Sequence, residues 1–184
     1  MQRYTFSIDA DDLIRTVSDS WVAFARQNGE CGLETSDVIG RPLWEFVGGA
    51  ETRQIYHALF AAVRRGRLPR SVPFRCDGPD CRRFMRLTVS PLADDALELV
   101  SELLREEPRA PVAMLGSEVE RSAELLSMCS WCKRVRLPAG WVEVEIAVET
   151  LGLFGDAPMP RISHGMCGEC RRAMSSLVEA PAGG

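Results

Sequence analysis

The stretch Ile39-Gly40-Arg41-Pro42-Leu43-Trp44-Glu45-Phe46 separates two groups of predicted strands and decides the fold assignment. The stretch itself predicts short helical turns. On its N-terminal side, Tyr4-Thr5-Phe6-Ser7-Ile8 alternates between polar and apolar residues, which predicts a strand, and residues 13–17 predict a second strand. Ser18-Asp19-Ser20 then offers N-caps for a first helix.

The C-terminal side of that stretch predicts one long helix followed by three strands. Residues 52–65 place apolar side chains on one helical face, with Gly66 as the expected stop. Residues 72–76, 81–92 and 97–104 predict the strands, since turn-forming residues fill the gaps between them. Such short local connections favour an antiparallel meander.

The order of two strands, a set of helices and three strands, with the stretch 39–46 in its middle, resembles a PAS domain. The resemblance covers residues 1–104. It implies a sensory domain in which a five-stranded antiparallel sheet cups helices around a small ligand pocket. The fold class expected for the chain is therefore α+β, with the PAS-like sheet accompanied by a second, smaller module.

Beyond the PAS-like domain, the sequence predicts a linker and a cysteine-containing module. Residues 105–117 contain prolines and charged residues, which indicates a linker, and residues 118–180 form the module. A helix is expected over 117–128. Residues 142–151 fit either a strand or a helix, and the following Gly152 favours a short helix.

Two C-x-x-C pairs in the module predict a structural zinc site with the ligands Cys129, Cys132, Cys167 and Cys170. Each pair can bring two sulfur atoms close enough for tetrahedral zinc, and four thiolates saturate the metal. Zinc also supplies folding energy that so small a module lacks. The second pair is expected at a helix N-terminus, where the helix dipole stabilises thiolate. His164 is an alternative ligand, or a group that hydrogen-bonds a sulfur atom or a backbone carbonyl.

The surroundings of these cysteines also resemble a known bacterial module. Cys-Ser-Trp-Cys-Lys-Arg-Val-Arg at 129–136, Gly-Trp at 140–141 and Ser-His-Gly-Met-Cys-Gly-Glu-Cys at 163–170 carry the resemblance. It is to a short C-terminal cysteine segment attached to some PAS proteins and response-regulator proteins of bacterial signalling. The resemblance implies a role in signal transduction.

Other cofactors of PAS domains are not expected here. Heme-binding members use a histidine on the helix that carries His57, but the neighbouring residues give no heme signature, which favours a surface histidine. Flavin-binding members need a reactive cysteine in an Asn-Cys-Arg-Phe-like setting, which Glu30-Cys31-Gly32-Leu33 does not match. Cys76 and Cys81 flank a turn, and two free thiols are expected there rather than a disulfide.

Composition narrows the functional classes. The net charge of −4 argues against a broadly basic nucleic-acid-binding protein. No apolar run is long enough to span a bilayer, and the N-terminus resembles no signal peptide, so a cytoplasmic location without membrane contact is expected. Catalytic motifs are not found either, which predicts a protein that is not an enzyme.

The sequence therefore predicts a cytosolic signalling or regulatory protein. Its PAS-like domain would sense a small ligand or partner and would be coupled to a structural zinc module. A homodimer and a protein partner in signalling are expected. Two alternatives stay open: a redox sensor that acts through its zinc thiolates, and a nucleic-acid-binding regulator that uses the basic residues of the zinc module.

Overall fold

A computed structural model describes residues 2–27, 32–154 and 158–179. Cys31 lies outside these residues. The N-terminal region contains, in chain order, β1 Arg3–Ile8, β2 Ile14–Val17, α1 Asp19–Gln27, α2 Ala50–Gly66, β3 Arg70–Arg75, β4 Cys81–Pro91 and β5 Leu97–Pro108. The C-terminal region contains β6 Arg121–Cys129, β7 Val135–Leu137, β8 Gly140–Val142, α3 Val144–Leu151, β9 Met159–Gly165 and α4 Gly168–Glu179. The predicted α+β class is confirmed.

The N-terminal region is a five-stranded antiparallel sheet in the order β2-β1-β5-β4-β3, which we call the first sheet. Consecutive strands β3, β4 and β5 form the predicted meander, and β1 inserts beside β5. The stretch 39–46 forms short turns, including a 3₁₀ turn at Leu43–Glu45, as predicted. These turns place Val38 and Leu43 in the interior of the N-terminal region.

Helix α2 covers one face of the first sheet because its apolar residues recur at helical spacing. Leu59, Phe60 and Val63 are almost fully buried, and they belong to the same core as the sheet residues Val89 and Leu99. The helix ends at Gly66, but the left-handed residue that stops it is Arg67, whose N–H bonds to the carbonyl of Val63. The prediction of Gly66 as the stop was therefore displaced by one residue.

The C-terminal region is built on a four-stranded sheet in the order β8-β7-β6-β9, which we call the second sheet. Strands β6 and β9 are parallel, and the other neighbours are antiparallel. Helix α3 packs on this sheet, and the left-handed Gly152 stops it as predicted, whereas Val142 of the predicted interval belongs to β8. Buried residues from the sheet, α3 and the preceding segment make a separate small core: Val112, Met114, Met128, Val135, Leu137, Val144, Ala147 and Met159.

Two sequence-based expectations for the middle of the chain need revision. The helix predicted over 117–128 is wrong, because residues 121–129 form β6, whose pairing with β9 outweighs the local helical pattern. Within the interval predicted as a linker, residues 105–108 continue β5, and Val112 and Met114 are buried in the small core. Among the described helices, none has the length and apolar character needed to cross a membrane.

Candidate metal centre

The first C-x-x-C pair lies in a tight turn between β6 and β7. The N–H of Lys133 bonds to the carbonyl of Cys129 at 3.0 Å, and the N–H of Cys129 bonds to the carbonyl of Arg134 at 2.8 Å. Lys133 adopts a left-handed conformation with φ of 61°, which reverses the chain direction. The turn therefore brings the side chains of Cys129 and Cys132 to the same side.

The second pair lies where β9 passes into α4. Cys167 precedes the first residue of α4, and Cys170 lies in the first turn, as predicted. Two backbone N–H groups point at sulfur: that of Cys167 to Sγ of Cys129, and that of Cys170 to Sγ of Cys167, both at 3.4 Å. These hydrogen bonds and the dipole of α4 favour negative charge on the sulfur atoms.

The four sulfur atoms form one cluster, with every pair within 4.8 Å. Sγ of Cys132 and Sγ of Cys167 are 3.7 Å apart. Tetrahedral zinc with Zn–S bonds of about 2.3 Å needs sulfur atoms about 3.8 Å apart. The arrangement can therefore hold a metal ion, and its dimensions and donor atoms fit zinc with no open coordination position.

Hydrogen bonding within the cluster lowers the pKa of one thiol and raises the pKa of two others. The pKa of Cys129 is shifted far below its ordinary value, since the thiols of Cys132 and Cys170 hydrogen-bond to its sulfur and backbone N–H groups add to this. The hydrogen bond to Cys129 raises the pKa of Cys132 to about 12. Hydrogen bonds to Cys129 and Cys132 likewise raise the pKa of Cys170. Metal binding must therefore displace protons from Cys132 and Cys170.

Burial differs across the cluster. Cys129 and Cys167 are buried, whereas Cys132 and Cys170 are half-buried. Trp131, between the first two ligands, is only 5% exposed, and its ring lies 5.2 Å from that of Tyr56 on α2. Its carbonyl accepts a 2.7 Å hydrogen bond from the N–H of Arg75 at the end of β3. The first cysteine turn is thus packed directly against the N-terminal region.

Basic residues beside the cluster are engaged by partners within the protein. Arg134 forms ion pairs with Glu169 and Glu143 at 2.7 and 3.5 Å. Lys133 donates to the carbonyl of Ser130. Arg171 pairs with Glu51 of α2. Carboxylates balance the charges of Arg134 and Arg171, which reduces the positive charge that these two residues offer to a nucleic-acid backbone.

The histidines lie apart from the sulfur cluster. His164, the alternative ligand, is exposed on β9 and is not among the residues whose ligand atoms converge. Although the residue is exposed, partial desolvation of its ring and the nearby Lys133 lower the pKa of His164. His57, which the resemblance to heme-binding PAS domains raised as a heme ligand, is exposed on α2, and its ring lies 3.8 Å from that of Trp44. Its placement is that of a surface histidine.

The turn between β3 and β4 is flanked by the other two described cysteines. Cys76 and Cys81 are both free thiols, and burial raises the pKa of each.

Large side chains such as Phe60 fill the space between α2 and the first sheet, where a PAS ligand pocket was expected. An open cleft of about 280 Å³ lies instead between α2 and α4.

Comparisons with known proteins found similar solved structures for part of the chain. No protein-family model and no curated protein matches the chain. Among solved structures, a domain of an HTR-like protein from Haloarcula marismortui is similar, with 17% identity and a TM-score of 0.42 over 57% of this chain and all of that one. The photoactive yellow protein domain of the sensor histidine kinase Ppr from Rhodospirillum centenum has 14% identity and a TM-score of 0.42, over 55% of this chain and 92% of that one.

Proposed function

We propose that the protein is a cytosolic signalling or regulatory protein in which a PAS-like sensory domain is joined to a structural zinc centre. The observation that carries the proposal is the convergence of four cysteine sulfur atoms from two distant C-x-x-C turns at zinc-ligand spacing. The role is one of sensing and binding rather than catalysis. The chain is proposed to act as a homodimer with a protein partner in signalling.

The environment of the sulfur atoms favours structural zinc over redox zinc. Two of the four ligands are buried, and backbone N–H groups bond to two of the sulfur atoms. A fully coordinated ion leaves an oxidant no open position on the metal, and hydrogen bonds to sulfur reduce its nucleophilicity. The zinc of this protein is therefore proposed to hold the structure together.

Metal analysis of the full chain, purified without chelator, tests the proposal. We expect one zinc ion per chain, and we expect Cys170→Ser to reduce the zinc content strongly because tetrahedral coordination loses a thiolate. Cys76→Ser is the matched control, since Cys76 is a free thiol outside the cluster, and it should retain the full zinc content. Zinc content well below one ion per chain in the unmodified protein would contradict the proposal.

A further inference from the structure

Two consecutive residues at the start of α2 contact the two C-x-x-C turns through residues that neighbour the cysteines. The carboxylate of Glu51 accepts a 3.0 Å hydrogen bond from the backbone N–H of Met166, immediately before the ligand Cys167, and pairs with Arg171 immediately after Cys170. Glu51 therefore contacts residues on both sides of the second C-x-x-C turn, although it lies more than a hundred residues earlier in the chain.

Thr52 contacts the other turn. Its hydroxyl lies 2.7 Å from that of Ser130, between the ligands Cys129 and Cys132, and Thr52 is only 5% exposed. The N–H of Ser130 in turn donates to the carbonyl of Gly165 at 2.9 Å, which joins the two turns directly. A single helical turn thus contacts residues next to both pairs of ligands.

Gly49, the N-cap residue of α2, permits this close approach. It has φ of 83°, and a Cβ atom placed on it would lie 2.7 Å from the backbone carbonyl oxygen of His164 on β9. That distance is too short for any side chain. Glycine here serves both the left-handed backbone and the contact with the strand that leads into the second cysteine turn.

We propose that Gly49, Glu51 and Thr52 form a clamp that positions the zinc ligands, so that zinc affinity depends on the conformation of the PAS-like domain. The inference rests on the proposed zinc site. Zinc binds most tightly when its four ligands are already held in tetrahedral geometry, because less conformational freedom is then lost on binding. Coupling is reciprocal, so a signal that moves the start of α2 weakens zinc binding, and zinc in turn holds the start of α2 in place.

The test measures the zinc dissociation constant of the full chain by competition with a chromogenic chelator. Thr52→Val removes the hydroxyl and leaves that of Ser130 without its partner, so the dissociation constant should rise roughly fivefold. Thr52→Ser keeps the hydroxyl and should stay within about twofold of the unmodified protein. Equal affinities in Thr52→Val and the unmodified protein, or equal losses in Thr52→Val and Thr52→Ser, would overturn the clamp.

A second pair of variants tests the backbone contact. Gly49→Ala should raise the dissociation constant about tenfold or more, because the added methyl group displaces β9 from α2. Gly40→Ala is the matched control: Gly40 also has a positive φ, of 77°, but a Cβ there meets no atom within 4 Å, so zinc affinity should be unchanged. Equal affinities in the two variants would contradict the clamp. Failure of the unmodified protein to bind zinc would instead contradict the zinc site itself.

Discussion

The two sheets of this protein are stabilised in different ways. The first sheet is antiparallel, and α2 covers it with large apolar side chains such as Phe60. The second sheet has a smaller core, and its C-x-x-C turns lie outside that core. Cys129 and Cys167 are instead buried in the same core as the first sheet. The difference indicates that the cysteine cluster joins the two regions, so that a metal ion bound there would not stabilise the second region alone.

The strongest test of this comparison is removal of the metal ligand Cys129. Structural zinc sites contribute on the order of 10 kcal/mol to folding, so Cys129→Ser should unfold the second sheet. Because the cysteine lies in the shared core, the variant should also lower the melting temperature of the first sheet. Differential scanning calorimetry with hydrogen exchange of β4 and β5 measures both effects.

The contrary result has a clear form. If the Cys129→Ser variant loses protection only in residues of the second sheet, while β4 and β5 exchange as in the unmodified protein, the two regions are independent. A Cys81→Ser variant serves as a control for loss of a buried thiol away from the cluster, since Cys81 is buried in β4.

A change of pH tests the comparison through the cysteine cluster, because the proposed zinc binding depends on the protonation of its thiols. The pKa of Cys132 is raised to about 12 and that of Cys170 is raised as well, so both thiols are protonated at neutral pH and lose their protons when zinc binds. The bound state holds fewer protons, and zinc affinity must therefore rise with pH.

With at least two protons released, the affinity should change by about 100-fold or more per pH unit around neutrality. Isothermal titration calorimetry in buffers of different ionisation enthalpy counts the released protons directly. An affinity that is independent of pH between 6 and 8 would show that these thiols are already ionised before zinc binds. Chelator competition at the same pH values provides the control.

The smallest effect is expected on zinc release after treatment with peroxide. A structural centre with two buried ligands should release little zinc over tens of minutes at roughly tenfold excess peroxide, since the sulfur atoms are coordinated and hydrogen-bonded. A chromogenic chelator follows the release. Loss of zinc within minutes, reversed by a thiol reductant and added zinc, would favour the redox-sensor alternative.

Periodic and local features of the sequence predicted much of this structure. The alternation in residues 4–8, the helical face of 52–65 and the turn residues at 77–80 predicted elements that the structure contains. The spacing of the two C-x-x-C pairs predicted which four side chains converge. In each case the determining interactions lie within a few residues or follow from the geometry of a single metal ion.

Long-range contacts account for what the sequence did not reveal. Strand β6 carries a helix-like pattern and becomes a strand through its pairing with β7 and β9. Glu51 and Thr52 look like ordinary residues of an amphipathic helix, and no local signal marks their contacts with Met166 and Ser130. The role of these two polar residues can be recognised only when the positions of the distant turns that they contact are known.

The parallel pairing of β6 with β9 has a consequence for the order of folding. Both strands end at a cysteine turn, and residues 133–166 separate the two turns along the chain. In the unfolded chain, these residues form a loop that must close before the strands can pair. Closing so long a loop costs entropy before any pairing can form, which slows the search for the native register. A zinc ion captured first by Cys129 and Cys132 would shorten that search when Cys167 and Cys170 arrive. A zinc site that needs Cys170 would therefore be completed during synthesis only after residue 170 has left the ribosome.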